Sequence, residues 1–250
     1  MKAIILIHGF LSDRDDFAPF MDSAAQLYDY VETVEIPGHG DDMGVHGFDA
    51  EKTFLLIIKA YDDIVSTYDI IDCVGYSMGG ALAIYLSNVR KIRKLILLAP
   101  SIKYINFKYP VQIARTYFDL KHQIKVTDGD PKIVEKMERI NIDNKVSIKI
   151  LKDRLSQIKL LPRYYLSFRR IIKKINNAVT EIDSPCLLIW GELDQLVPKS
   201  SIDYVQSLCT NEVKVVIFDD VSHLMLLSQT NVEKIITEMI KFIKEEVEDV

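Results

Sequence analysis

Ile70-Ile71-Asp72-Cys73-Val74-Gly75-Tyr76-Ser77-Met78-Gly79-Gly80-Ala81-Leu82-Ala83-Ile84-Tyr85-Leu86 joins a β-rich apolar run to a helix-like run through one serine between glycines. A Gly-x-Ser-x-Gly sequence in this strand–turn–helix context is a nucleophile elbow. A side chain projected into a cleft from so tight a turn requires the strand end and the helix start to come nearly into contact. Side chains at positions 75 and 79 would clash there, so both are read as required glycines. The helix that follows aims its free N–H groups and its dipole at the serine, where they favour developing negative charge. The Met78 N–H is therefore one candidate oxyanion donor.

On either side of the elbow the chain alternates short apolar runs with longer amphipathic ones. Strands are predicted over 3–7, 31–36, 71–75, 94–98, 186–190 and 213–218, and helices over 17–27, 50–67, 78–88, 199–208 and 231–247. The strand candidates are apolar on both faces, which fits a parallel sheet covered by helices. The expected fold is α/β, a doubly wound and mostly parallel sheet of about six strands with helices on both faces. The alternation stops between 101 and 183, where Lys, Ile and Tyr abound and Asp128-Gly129-Asp130-Pro131 breaks the pattern. Helices are predicted there over 111–120, 132–140, 147–158 and 162–175. We read 101–180 as a helical cap inserted after the fourth strand, its last helix placed to pack back on the sheet, with 1–100 and 181–250 as the core.

In a doubly wound sheet, ligands bind at the carboxyl ends of the strands, where strand order reverses. The first strand ends in His8-Gly9-Phe10, so its loop faces the elbow and the Phe10 N–H becomes a second candidate oxyanion donor. His8 itself reads as a buried histidine holding that turn. The 186–190 strand runs into Gly191-Glu192-Leu193-Asp194, and the 213–218 strand into Asp219-Asp220-Val221-Ser222-His223. A serine hydroxyl needs an adjacent imidazole to take its proton. The imidazole needs a carboxylate on its other nitrogen to fix the tautomer. His223 is the candidate base and Asp194 the candidate acid, with Glu192 as its competitor two residues nearer the strand. The order Ser, Asp, His is that of elbow-bearing sheets. His39, in Pro37-Gly38-His39-Gly40, is expected at the rim of the cleft. His46 lies in a Gly-rich loop and His122 in the cap.

No spacing of His, Cys or carboxylates suggests a metal site, and no phosphate-cradling glycine loop with its lysine is present. No cofactor is expected. The three cysteines, Cys73, Cys186 and Cys209, are widely spaced and read as free thiols. The apolar run in MKAIILIHGF is too short for a signal peptide, and no stretch is long enough to span a membrane, so the expected location is cytoplasmic. The net charge of −5 is unevenly spread: 101–180 carries 18 Lys and Arg against 7 Asp and Glu, leaving 13 against 29 elsewhere. A cap this basic suits contact with anionic lipid or anionic substrates. The acidic whole, without a recognition motif, argues against nucleic acid.

Taken together, His8-Gly9-Phe10, Pro37-Gly38-His39-Gly40, Gly75-Tyr76-Ser77-Met78-Gly79-Gly80, Gly191-Glu192-Leu193-Asp194 and Ser222-His223 resemble the α/β-hydrolase superfamily. Within it the set is similar to bacterial carboxylesterases and monoacylglycerol lipases. The resemblance implies Ser77, Asp194 and His223 as a catalytic triad, with Phe10 and Met78 amides as the oxyanion hole. One departure from the family pattern is expected: the chain starts at what would be the family's third strand. Three activities fit: a carboxylic ester hydrolase working on small or medium acyl chains through an acyl-enzyme, a carbon–carbon bond hydrolase or thioesterase with the same triad, and a non-catalytic small-molecule receptor on the same fold. Ser77 argues against dehalogenase and epoxide hydrolase chemistry, for which the resemblance implies an aspartate at the elbow.

Overall fold

A computed structural model of the chain describes residues 1–40, 47–103, 106, 161–227 and 231–245. The helices predicted over 111–120, 132–140 and 147–158, and with them His46 and His122, lie outside the described residues. The described strands are β1 (Lys2–Ile7), β2 (Tyr30–Val34), β3 (Ile70–Tyr76), β4 (Leu95–Leu98), β5 (Cys186–Gly191) and β6 (Val213–Phe218). The described α-helices are α1 (Ala18–Leu27), α2 (Ala50–Asp62), α3 (Met78–Val89), α4 (Leu161–Ala178), α5 (Lys199–Leu208) and α6 (Val232–Lys244).

All strand pairs are parallel, and the sheet order is β2-β1-β3-β4-β5-β6. The chain steps one way from β1 to β2 and the other way from β2 to β3 and beyond. Right-handed crossovers then place α1 on one face and the helices that follow on the other. The contacts agree: α2, α3 and α4 pack together, and α6 returns to pack against α1. The inner strands β1, β3, β4 and β5 are buried almost throughout, as the sequence pattern predicts. The edge strands β2 and β6 are only partly buried, so the expectation of apolar burial on both faces fails there. An edge strand has one open side and fewer covering helices.

Local chemistry sets the helix ends. Asp49 caps α2 by accepting from the Lys52 amide at 2.9 Å, satisfying one of the donors the first turn leaves unpaired. That helix stops at Asp62, short of the predicted 67. In α4, Tyr164, Phe168, Ile171 and Ile175 recur at helical spacing and are buried, while Arg163, Arg169 and Arg170 are exposed. The apolar stripe of α4 belongs to the main core and rests on α2 and α3. The expected packing back on the sheet is not what is found: α4 rests mainly on α2 and α3, which already cover that face of the sheet.

A carboxylate lies inside the sheet. Asp72 on β3 is fully buried and accepts from Tyr28 Oη at 2.6 Å, Arg93 Nε at 2.9 Å and the Lys94 amide at 3.1 Å. A buried carboxylate persists only when its lone pairs are filled in this way. It ties the loop before β2 to the start of β4 at the end of the sheet opposite the elbow.

Candidate active site

The sheet register brings the candidate residues together. Ile7 lies opposite Gly75, Tyr76 opposite Leu98, Leu98 opposite Ile189, and Gly191 opposite Phe218. The carboxyl ends of five strands therefore share one rim, and each of the loops 8–10, 77–78, 99–101, 192–194 and 219–223 leaves from it.

Ser77 adopts φ 57° and ψ −115°, a backbone conformation that L-residues rarely occupy. Such strain costs about 1–3 kcal/mol and persists only where packing over-determines it. Here the packing is explicit. A Cβ on Gly75 would lie 2.6 Å from Gly80 Cα, and one on Gly79 would lie 1.9 Å from the Ile7 carbonyl oxygen. The two elbow glycines thus let the helix start touch both its own strand and the end of β1. The Ser77 amide also donates to the Leu98 carbonyl at 2.8 Å, so the turn is anchored to β4.

The three candidate side chains form a continuous relay. His223 Nε2 is 3.0 Å from Ser77 Oγ, and His223 Nδ1 is 2.7 Å from Asp194 Oδ2. The other carboxylate oxygen, Oδ1, accepts the amides of Leu196 and Val197, each at 2.8 Å. Those two bonds fix the carboxylate plane, and Trp190 Nε1 braces the same loop by donating to the Val197 carbonyl at 2.8 Å. Glu192, the competing acid, is exposed to solvent, whereas Asp194 is buried. The difference arises because the chain turns back at once, with the Asp194 amide donating to the Gly191 carbonyl at 3.0 Å. Ser77, Asp194 and His223 are 6%, 7% and 8% exposed, so the three side chains lie largely out of water.

Two neighbours escaped the sequence reading. Tyr76 donates its hydroxyl to the His223 carbonyl and stacks on the imidazole with ring centroids 5.7 Å apart. Ser101 places its Oγ 3.0 Å from Ser77 Oγ. Position on the rim is the one signal that could have found Ser101, since it follows the fourth strand directly.

The β1 loop closes the other side. A Cβ on Gly9 would meet Ser77 Cβ at 3.3 Å, so the chain entering Phe10 passes against the serine. His8 plays the expected structural role. Its Nε2 accepts the Ile36 amide at 3.1 Å, and Nδ1 is 2.9 Å from the Gly9 carbonyl, which it can therefore donate to.

His39 departs from expectation. It is fully buried rather than at the cleft rim, edge-on to Phe48 at 4.6 Å and near Phe10, Tyr164 and His8. Burial, helped by the nearby His8, pushes its pKa down to about 3. The sequence shows a histidine in a glycine turn but not the aromatic rings that close over it. An ordinary histidine in the unfolded chain titrates near about 6.5, so between about 3 and 6.5 the unfolded state binds the extra proton. The neutral ring's contribution to stability is complete above that window and is lost as pH falls through it. Denaturant unfolding at a series of pH values should show a steeper acid loss for the wild type than for His39→Phe. Parallel curves would contradict this.

Among the described residues, no group of three or more His, Cys, Asp or Glu is placed to hold a metal ion, and no helix is long and apolar enough to cross a membrane. Cys73, Cys186 and Cys209 are free thiols.

The strand order, the strained serine turn and the loops gathered on one rim define an α/β-hydrolase. The chain belongs to the family described as "Serine aminopeptidase, S33", whose model matches residues 1–230. The pimeloyl-[acyl-carrier protein] methyl ester esterase of Neisseria meningitidis serogroup B is 35% identical over 102 residues, which are 40% of this chain and 36% of that protein. The match thus spans about a third of that curated relative's length. A Mycoplasma genitalium protein provisionally named esterase/lipase 2 is 25% identical over 232 residues, 89% of this chain and 82% of its own. Among solved structures, the Paleococcus ferrophilus monoacylglycerol lipase superposes with a TM-score of 0.63 at 16% identity, covering 96% of this chain and 93% of that one. Likeness at that identity speaks for the fold alone. The superfamily and its esterase- and lipase-like character agree with the sequence reading.

Proposed function

We propose that this chain is a serine hydrolase that cleaves carboxylic esters of small or medium acyl chains through an acyl-enzyme. One observation carries the proposal: an unbroken hydrogen-bonded line from Asp194 through His223 to Ser77 Oγ, with both links at 3.0 Å or less. In this reading Ser77 Oγ attacks the ester carbonyl while His223 Nε2 takes its proton. Asp194 holds the Nδ1–H tautomer and stabilises the imidazolium. The amides of Phe10 and Met78 receive the oxyanion, each worth about 3 kcal/mol of barrier. Met78 opens α3, where helix geometry leaves its N–H without an intrahelical partner. The leaving alcohol takes the proton back from His223, and water repeats the sequence to release the acid. The name of the Neisseria relative, an ester-cleaving enzyme, supports an ester as the scissile bond.

The proposal includes the stretch 101–180 as an insertion over the core 1–100 and 181–250. It also includes anionic surfaces or substrates as its charge partners, supported by the exposed arginines of α4. The test is a substrate panel of p-nitrophenyl esters of increasing acyl length, with an acyl-CoA, a diketone and an aminoacyl p-nitroanilide alongside. The expected result is turnover of the shorter esters above every other class, with rates on anionic esters falling more steeply with salt than rates on neutral ones. No turnover of any ester would overturn the proposal. Preference for the thioester, the diketone or the anilide would reassign the reaction, and equal salt dependence would remove the charge partner.

A further inference from the structure

Ser101 lies just past the end of β4, on the rim that carries the relay, and is 2% exposed. Two bonds tie it to the elbow: its amide donates to the Ser77 carbonyl at 2.9 Å, and its Oγ is 3.0 Å from Ser77 Oγ. Either oxygen of that hydroxyl pair could be the donor on distance alone, but the protons of the site decide between them. This step rests on the proposed roles of Ser77, His223 and Asp194. The Asp194 carboxylate is an acceptor only, so the imidazole nitrogen facing it, Nδ1, carries the proton. A neutral imidazole has one N–H, which leaves Nε2 as an acceptor. The single hydroxyl proton of Ser77 points to Nε2, and Ser77 has no other to give. The proton between the two hydroxyls therefore belongs to Ser101.

We infer that Ser101 is a positioning residue for the nucleophile: it donates to Ser77 Oγ and fixes the direction from which that oxygen attacks. A hydroxyl oxygen has two lone pairs. Ser101 occupies one, His223 holds the proton, and the remaining lone pair is left facing the cleft. The oxygen is held in one rotamer before substrate arrives, as a near-attack geometry requires. The same donor serves the second half of the reaction. There, water bonds to the acyl carbon and gives a proton to His223. The bond from that carbon to Ser77 Oγ then breaks, and His223 returns the proton to Oγ. Ser101 faces that oxygen as its electron pair returns.

Burst kinetics with p-nitrophenyl acetate on the full chain separate acylation from deacylation and test this directly. Two variants are compared with wild type, Ser101→Ala and Ser101→Cys. The cysteine fills at least the same volume but offers only a weak S–H donor. Both variants should lose about tenfold in the acylation rate, the scale of one lost hydrogen bond at a reacting atom, with the substrate dissociation constant read from the burst phase and the melting temperature unchanged. Deacylation should slow as well. Wild-type acylation in Ser101→Ala, or in Ser101→Cys alone, would overturn the inference, the latter by showing that bulk is all that matters. If the wild type neither releases p-nitrophenolate nor reacts with a fluorophosphonate, the serine-hydrolase reading fails and this role falls with it. If the wild type reacts and the variants match it, only the role of Ser101 falls.

Discussion

Ser77→Ala is expected to lower ester turnover by a factor on the order of 10^6, to whatever the oxyanion amides and binding supply alone. The protein should still fold, because alanine keeps the Cβ that the elbow already accommodates. Ser77→Gly gives a sharper form of the same prediction. The serine backbone sits at φ 57°, which glycine adopts without steric cost and alanine does not. Glycine should therefore be equally inactive yet more stable than alanine by about 1 kcal/mol. Thermal unfolding of both variants beside their activities checks this. An inactive Ser77→Gly that melts at or below Ser77→Ala would show that the turn is not strained. Residual activity near wild type in either variant would remove Ser77 from the chemistry.

Asp194→Asn should cost about 10^4-fold in kcat, and the site shows why so small a change matters. Asp194 Oδ1 already accepts the Leu196 and Val197 amides, so the asparagine carbonyl will keep that place. The new NH2 group then faces His223 Nδ1. Two donors cannot share that 2.7 Å gap, so the imidazole must move its proton to Nε2. The nitrogen that should accept from Ser77 becomes a donor, and the general base is lost while the fold is retained. Rates measured at high pH should recover in part, as hydroxide replaces the missing base. A variant within about tenfold of wild type would mean that Asp194 does not orient the imidazole.

Local features were the most legible in the sequence. The elbow reads directly because Gly75, Ser77 and Gly79 must satisfy a steric condition within five residues. Strand β6 and helix α5 match their predicted ranges, 213–218 and 199–208, to the residue. That the candidates Asp194 and His223 would lie near Ser77 was readable because loops at strand carboxyl ends in a parallel sheet meet wherever their strands lie in register. The misses share one cause. Tyr76 has no sequence signature and Ser101 only its place after the fourth strand, since each owes its partner to an approach between segments distant in the chain. The rings around His39 come from the first loop, the segment before α2, and α4, and no window of sequence contains them all. The partial exposure of β2 and β6 depends on sheet order, which alternation along the chain does not reveal. In α4 the apolar spacing was visible, but its resting place on α2 and α3 was not.

The account depends most on an imidazole that activates one alcohol among the many on this chain. Intact mass measurement after exposure to a fluorophosphonate, with the labelled peptide mapped, tests this most directly in wild type and His223→Ala. The account predicts a single adduct on Ser77 and a rate of labelling that collapses in His223→Ala. Labelling at any other residue, no labelling at all, or an equal rate without the imidazole would contradict it.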